Sequence, residues 1–353
     1  MTSGARIRVL VVDDSAFARK VLRLSLGADP RLDVVGTAAD GLDALEKIDS
    51  LKPDVVTLDL VMPNLDGVGV MRALSAARGR SPAVVLVTIS DEESELVVEA
   101  LQLGAVGMVK KPTALATNQL YEMSAELIAG VVAAAQARPQ HVASTPVQLV
   151  RLQEPLASTK VVVIGASTGG PQALTQVISR LPRTLPVPVA ISLHIPREYT
   201  DALAKRLSAL GGLEVIEASD GALLLPGQAL LARGGAHLTL QRDGPALIAR
   251  VSAQPASMPY FPSIDLLFSS AAQACGSNVL GAVLTGMGDD GLEGTRSIVA
   301  AGGEVLTESE SSCVVYGMPR AVKEAGLSAG EARIEAMADE IANRLHEHGR
   351  VRP

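Results

Sequence analysis

Aromatic side chains are scarce in this chain: four Tyr, three Phe and no Trp among 353 residues. Single-stranded nucleic acids are held by stacking bases on aromatic rings, so this scarcity argues against that class. A basic excess is missing too. Lys and Arg number 31 against 38 Asp and Glu, a formal net charge of −7. Nucleic-acid binders normally carry a basic footprint, and none is expected to be a partner here. Cysteine is limited to Cys275 and Cys313, no CxxC pair occurs, and the five histidines lack zinc spacing. A disulfide scaffold is therefore excluded, a structural zinc site is not expected, and a reducing compartment suits the chain. Long apolar runs are also lacking. The best, Leu127–Ala135, is nine residues between Glu126 and Gln136. A span needs about 18 or more, so direct membrane insertion is not expected. The start, MTSGARIRVL, has no apolar signal-peptide core. The expected location is cytoplasmic.

What the chain does contain is apolar material in short, regular doses. Hydrophobic residues make up 48%, enough for sizeable cores, and the length suggests about two domains. IRVLVV, LDVVGTA, DVVTLDL, AVVLVTI and VGMVK read as buried parallel strands. Amphipathic stretches such as FARKVLRLSL and GLDALEKIDSL lie between them. Such alternation predicts a doubly wound α/β sheet. The pattern fades in AQARPQHVASTPVQLVRLQEPLAS, with three prolines and four glutamines, which reads as a linker with a helical start. Alternation then resumes with KVVVIGAS, VPVAISLH, LEVIEAS, ALLAR, HLTLQR, NVLGAVLTG and GEVLTE. A hairpin-like middle is expected around Gly211 to Arg250, and EARIEAMADEIANRL reads as a closing helix. The expected division is a first domain at 1–125, a linker at 126–158 and a second domain at 159–350.

In an open parallel sheet, ligands bind beyond the carboxyl ends of the strands. Asp13 and Asp14 follow IRVLVV, Asp59 follows DVVTL, Thr88 follows AVVLV, and Lys111 lies at the end of VGMVKK, before Pro112. An Asp after a strand is often only a turn or cap residue. Three converging carboxylates repel unless a cation sits between them, and Mg²⁺ suits such hard oxygen donors. A carboxylate beside that ion can attack a phosphoryl group, while a hydroxyl and an ammonium bind the new phosphate oxygens. The set VDDS, TLDLVMPNLDG, a Thr and KKP resembles the receiver domain of two-component response regulators, over about 120 residues. The resemblance implies a flavodoxin-like fold with Asp59 as phospho-acceptor and Asp13, Asp14 and Asp59 around Mg²⁺. It also implies Thr88 as switch residue and Lys111, rather than Lys110, as phosphate partner. Asp66 and Gly67 would shape the loop.

The second lobe begins with a strand, a tight glycine turn and a helix. Gly165-Ala166-Ser167-Thr168-Gly169 fits G-x-S-x-G, which exposes a serine hydroxyl at a sharp turn. Pro171 suits a first helical turn, and the helix N-terminus favours negative charge developing near Ser167. The same stretch fits neither G-x-G-x-x-G nor a P-loop. A nucleophilic serine needs a base, and the base an orienting acid. His141 lies in the linker, and His346 and His348 lie in the tail. His194 ends an apolar run, on the same type of rim as Ser167, whereas His237 begins one; His194 is favoured. The loop in NVLGAVLTGMGDDGLEG offers Asp289 and Asp290, which the residues alone do not separate, and backbone N–H groups for an oxyanion. The order Ser, His, Asp departs from that of α/β-hydrolases.

IGASTGG, the His after the next strand, LTGMGDDG and SSCVVYGMPRAV together resemble the chemotaxis protein-glutamate methylesterases with a fused receiver, over nearly the whole chain. The resemblance implies a Rossmann-like three-layer second domain with Ser167 as nucleophile, His194 as base and Asp290 as orienting acid. Met287 would supply an oxyanion N–H and Thr168 would line the site; Asp265 would be a cap or packing residue. The implied activity is hydrolysis of glutamate γ-methyl esters on chemoreceptors, with release of methanol, and deamidation of receptor glutamines as a second activity. No cofactor is implied for the ester chemistry. A histidine kinase would be the phosphodonor, and phosphorylation of Asp59 would release a restraint on the second lobe.

Overall fold

A computed structural model describes residues 6–77, 81–88, 94–111, 117–137 and 160–347, with backbone alone for 117–123 and 346–347. It divides into two compact units, Met1–Ala143 and Ser144–Pro353.

The first unit runs β1 (Ile7–Val12), α1 (Ala16–Gly27), β2 (Leu32–Ala38), α2 (Gly41–Leu51), β3 (Val55–Leu58), α3 (Gly67–Ala76), β4 (Ala83–Thr88), α4 (Ser94–Gln102), β5 (Gly107–Lys110) and α5 (Thr117–Gln136). Its sheet is parallel, in the order β2-β1-β3-β4-β5. The strands are rich in Val and Leu because a parallel sheet covered on both faces has no solvent side for polar residues. Val9 to Val12 and Ala83 to Thr88 are buried along their whole length. The helices start where short polar side chains meet their free N–H groups. Ser15 accepts from Ala18 N at 3.3 Å, and Asp66 accepts from Gly69 N at 2.6 Å. The expected division at 125/126 falls inside α5, which continues to Gln136 because Leu127, Val131 and Ala134 are buried. The rest of the expected linker, from 138 on with His141, and the tail from 348 on with His348, lie outside the described residues.

The second unit runs β6 (Val161–Ala166), α6 (Gly170–Ile178), β7 (Val189–Leu193), α7 (Arg197–Ala209), β8 (Glu214–Glu217), β9 (Gln228–Leu231), β10 (His237–Asp243), β11 (Ala246–Ser252), α8 (Ile264–Cys275), β12 (Val279–Val283), α9 (Leu292–Ala300), β13 (Glu304–Glu308), α10 (Met318–Glu324), β14 (Gly330–Ala332) and α11 (Ile334–Glu347). Seven strands form one parallel sheet, β14-β13-β12-β6-β7-β9-β8. The hairpin-like middle is narrower than the sequence suggests. Only β10 and β11 form an antiparallel hairpin, while β8 and β9 pair in parallel and extend the main sheet. Helix α8 packs against both β10 and the sheet strands β6, β7 and β12, with Ile264, Leu267 and Phe268 fully buried.

Both sheets reverse direction beside their first strand. In the first unit β1 lies between β2 and β3; in the second, β6 lies between β12 and β7. At such a switch point the connections leave to opposite sides and open a crevice at the strand ends. Asp13 and Asp59 flank one crevice. Ser167, His194 and Asp290 surround the other. Among the described residues no helix is long and apolar enough to cross a membrane.

Candidate active site and acidic rim

In the first unit the strand ends bring Asp13, Asp14 and Asp59 together, with one carboxylate oxygen of each within 4.8 Å of the others. Asp13 and Asp59 are buried and Asp14 is exposed. Lys111 reaches between the two buried acids, its Nζ 2.7 Å from Asp13 Oδ2 and 2.8 Å from Asp59 Oδ2. Lys110 belongs to β5 and is exposed. Burial raises the Asp59 carboxyl, and the hydrogen bond and charge of Lys111 pull against it. Burial alone would lower the Lys111 ammonium; its bonds to Asp13 and Asp59 outweigh that and raise it. Backbone donors hold the other oxygens: Ser15 N–H reaches Asp13 Oδ1 and Leu60 N–H reaches Asp59 Oδ1, each at 2.9 Å. Thr88 is buried at the end of β4, and its carbonyl accepts from Lys111 N at 2.7 Å. Three carboxylates against one ammonium leave negative charge uncompensated, and hard oxygen donors fit Mg²⁺. Sequence reading missed Arg19, whose guanidinium donates to the carbonyls of Asp13 and Asp14 at 2.7 and 2.9 Å. Its place on the first turn of α1, behind the paired acids, was the available signal.

In the second unit the elbow after β6 depends on Gly169. It has φ +77°, and a Cβ there would lie 2.6 Å from Val314 Cβ. No side chain caps α6, so its N-terminus faces the turn that carries Ser167. His194 follows β7, one strand across. Ser167 Oγ and His194 Nδ1 are 3.0 Å apart, and His194 Nε2 lies 2.8 Å from Asp290 Oδ2. A carboxylate accepts only, so Nε2 carries the proton and Nδ1 offers its lone pair to the serine hydroxyl.

Asp290 is buried and Asp289 is exposed, which separates the two acids. Asp290 sits at the start of α8. Its Oδ2 accepts from Ile264 N at 2.8 Å, and its Oδ1 from Asp265 N at 3.0 Å and Ser263 Oγ at 3.3 Å. Burial pushes the Asp290 carboxyl up, but the bonds from His194, Ile264 and Asp265 hold it below its ordinary value. Asp265 returns the arrangement: its Oδ1 accepts from Gly291 N and Gly294 N, at 2.9 and 2.7 Å, at the start of α9. Burial, with the neighbouring Asp290 charge adding to it, pushes Asp265 up to about 6. His237 stands apart from Ser167. It is buried, accepts from Ser263 N at 3.1 Å and donates to Pro255 O at 3.3 Å.

The loop after β12 passes close to the serine. A Cβ at Gly286 would lie 2.8 Å from Ser167 Cβ. Met287 is next in the chain, exposed, and no hydrogen bond among the described residues uses its N–H. Thr168 is half-buried, and its carbonyl accepts from Thr285 Oγ1 at 3.0 Å. Thr285 also accepts Ser167 N–H at its own carbonyl, at 3.0 Å. Behind it lies Glu308, a buried residue at the end of β13 that sequence reading missed. Glu308 Oε2 accepts from Thr285 N at 2.8 Å and Oε1 from Ser312 Oγ at 3.0 Å. Burial pushes this carboxyl up to about 7.

A hydroxyl, an imidazole and a carboxylate linked in series on a parallel α/β sheet have the chemistry of a serine hydrolase. The acidic rim with its buried lysine has that of a phospho-accepting receiver. Comparison with known proteins makes the class particular. Residues 162–341 match the family described as CheB methylesterase, and residues 9–123 match the response regulator receiver domain. The chain belongs to the CheB methylesterase family and carries a receiver domain before the esterase domain. It is 58% identical over 340 residues to a Myxococcus xanthus protein-glutamate methylesterase/protein-glutamine glutaminase, covering 96% of this chain and 97% of that one. A Halalkalibacterium halodurans protein of the same description is 39% identical over 339 residues, covering 96% and 98%. The crystal structure of the Thermotoga maritima CheB methylesterase catalytic domain superposes with a TM-score of 0.52 at 33% identity, covering 53% of this chain and 98% of that one.

Proposed function

We propose that this protein hydrolyses glutamate γ-methyl esters on cytoplasmic segments of chemoreceptors, and deamidates receptor glutamines, under control of phosphorylation at Asp59. The observation that carries the reading is the series from Ser167 Oγ to His194 Nδ1 and from His194 Nε2 to Asp290. Ser167 Oγ attacks the ester carbonyl carbon while His194 Nδ1 takes its proton. The resulting imidazolium is balanced by Asp290, whose charge is retained by its low pKa. Met287 N–H donates to the oxyanion, and Thr168 lines the same pocket. Collapse breaks the bond to the methoxy oxygen, His194 returns the proton, and methanol leaves. Water then attacks the acyl-enzyme, His194 again takes the proton, and glutamate and Ser167 are restored. With a glutamine substrate the same proton goes to departing ammonia.

Control begins at the acidic rim. A carboxylate oxygen of Asp59 attacks the phosphorus of a kinase phosphohistidine, the phosphorus–nitrogen bond breaks, and an acyl phosphate forms. Mg²⁺, when bound by Asp13, Asp14 and Asp59, supplies positive charge to the phosphoryl oxygens. Lys111 is then drawn to the phosphoryl oxygens, and Thr88 donates its hydroxyl to one of them. The working location is the cytoplasm.

The test is methanol release from a methylated chemoreceptor, for wild type and Ser167→Ala, with and without acetyl phosphate and Mg²⁺. Release should rise with the phosphodonor and fall on the order of 10⁴-fold or more in Ser167→Ala. Equal release from the variant removes Ser167 from the nucleophile role. Stimulation that persists in Asp59→Asn removes Asp59 from control.

A further inference from the structure

Two of the chain's seven aromatic residues, Tyr260 and Phe261, are adjacent, and each packs on a histidine. Tyr260 lies on His194, with ring centroids 4.5 Å apart and planes within 9° of parallel. Phe261 lies on His237, with centroids 4.4 Å apart. The segment that carries them joins β11 to α8 and is tied at several points. His237 donates to Pro255 O and accepts from Ser263 N–H; Gly235 N–H reaches Phe261 O at 3.4 Å. Ser263 in turn donates to Asp290. The Tyr260 hydroxyl sits against the loop after β12, 3.0 Å from where a Cβ on Gly288 would lie. Tyr260 thus spans from the imidazole face to the residue after Met287, held by the framework that holds Asp290.

The two hydrogen bonds of the His194 ring among the described residues lie at Nδ1 and Nε2. They fix the ring along one line but leave it free to tilt about that line. A face-on ring removes the tilt. A π face also attracts positive charge, so it favours imidazolium over imidazole. We infer that Tyr260 is a positioning residue of the ester-cleaving site, fixing the tilt of the His194 base and stabilising its protonated form as the transition state is reached. This rests on the reading of His194 as base. Among the described residues, the titratable groups placed around the ring are Asp290 at Nε2, Asp265 behind Asp290, and His237 beyond Ser263.

The experiment compares the full-length protein, phosphorylated with acetyl phosphate and Mg²⁺, as wild type, Tyr260→Phe, Tyr260→Leu and His194→Gln. Methanol release is followed against pH, and the His194 ring is titrated by NMR on histidine-labelled protein. Tyr260→Leu should lower kcat about 10-fold and move the acid limb of kcat/KM, and the NMR midpoint, to lower pH by about half a unit. The sign follows from losing a contact that favours the protonated ring. Tyr260→Phe keeps the ring and should stay within about 2-fold of wild type, with the limb unmoved. If Tyr260→Leu does not fold, Tyr260→Met, which fills space without a π face, replaces it. An unmoved NMR midpoint in Tyr260→Leu or Tyr260→Met overturns the inference, as does a Tyr260→Phe variant that behaves like Tyr260→Leu. Full activity in His194→Gln overturns instead the underlying assignment of the base.

Discussion

At the ends of β1 and β3, two buried carboxylates share a single ammonium; at the ends of β6, β7 and β12, one buried carboxylate is surrounded by donors. The two rims occupy the same position in two parallel sheets, yet they handle charge in opposite ways. Asp13 and Asp59 are buried with Lys111 as their only ion-pair partner among the described residues. Burial pushes the Asp59 carboxyl up while the hydrogen bond and charge of Lys111 pull against it. Asp290 accepts from His194, Ser263, Ile264 and Asp265 and needs no further partner. On the proposed function, the first rim responds to an incoming charge, and the second holds still while charge develops on the substrate. Fold alone does not distinguish them; the donors around each acid do.

Removing the charge from the still rim should have the largest effect. Asp290→Asn keeps the size of the side chain but leaves the imidazolium unbalanced, and kcat for methanol release should fall on the order of 10⁴-fold. Asp289→Asn, on an exposed residue beside it, should stay within about 2-fold. A large loss in both variants would mean the loop, not the acid, is being read.

The responsive rim should break through stability instead. Lys111→Met strands two buried carboxylates and should cost about 3–5 kcal/mol. Thermal scans with and without Mg²⁺ check this: the variant should melt lower in metal-free buffer and recover more than wild type on adding Mg²⁺. An unchanged melting temperature would show that Lys111 does not balance these acids.

Glu308 sharpens the contrast, because beneath the still rim lies an acid that does titrate. Its folded pKa, about 7, is above the ordinary 4.5. A raised carboxyl contributes stability that is full below the unfolded pKa and is lost as pH rises through the folded one. Wild type should therefore lose up to roughly 3 kcal/mol between about pH 4.5 and pH 7 from this group. Glu308→Gln can still accept from Thr285 N–H and should flatten that part of the profile. Chemical denaturation across the window decides it; parallel curves for the two proteins would remove Glu308 as the source.

The smallest expected effect lies in the loop after Asp59. A Cβ at Gly67 would press on the Asp59 carbonyl and lie 2.8 Å from Leu60 Cα. Gly67→Ala should cost about 1–3 kcal/mol and slow phosphorylation by acetyl phosphate. Faster or unchanged phosphorylation would show that the loop tolerates the shift.

Much of this organisation was legible from residue order. Val-rich runs alternating with amphipathic stretches predicted parallel sheets, because a strand buried on both faces has no polar side to show. Acids, Ser167 and His194 at strand ends were visible as candidates for the same reason. The residues did not separate Asp289 from Asp290. That choice came from family resemblance, and in the structure burial and four donors mark Asp290. Other features were out of reach. Tyr260 lies 66 positions from His194 and meets it only through the path of the segment before α8. Glu308 reads in sequence as an ordinary strand-end acid, and only the approach of Thr285 and Ser312 shows what it holds. The pairing of β8 with β9 was masked because the stretch 218–227 between them reads as a hairpin connection, whereas it carries the chain back so that the two strands run parallel.

The sequence by itself determined the class of both sheets, the chemistry available at each strand end and the division into two units. These follow from local patterning, from chain turns that need glycine, and from which side chains come next after each strand. The tertiary structure decided which acid serves His194, which nitrogen of that ring faces Ser167, and which groups steady it from the side. Those depend on contacts between segments far apart in the chain. Such contacts are set by packing and by the satisfaction of buried donors, neither of which has a local signature.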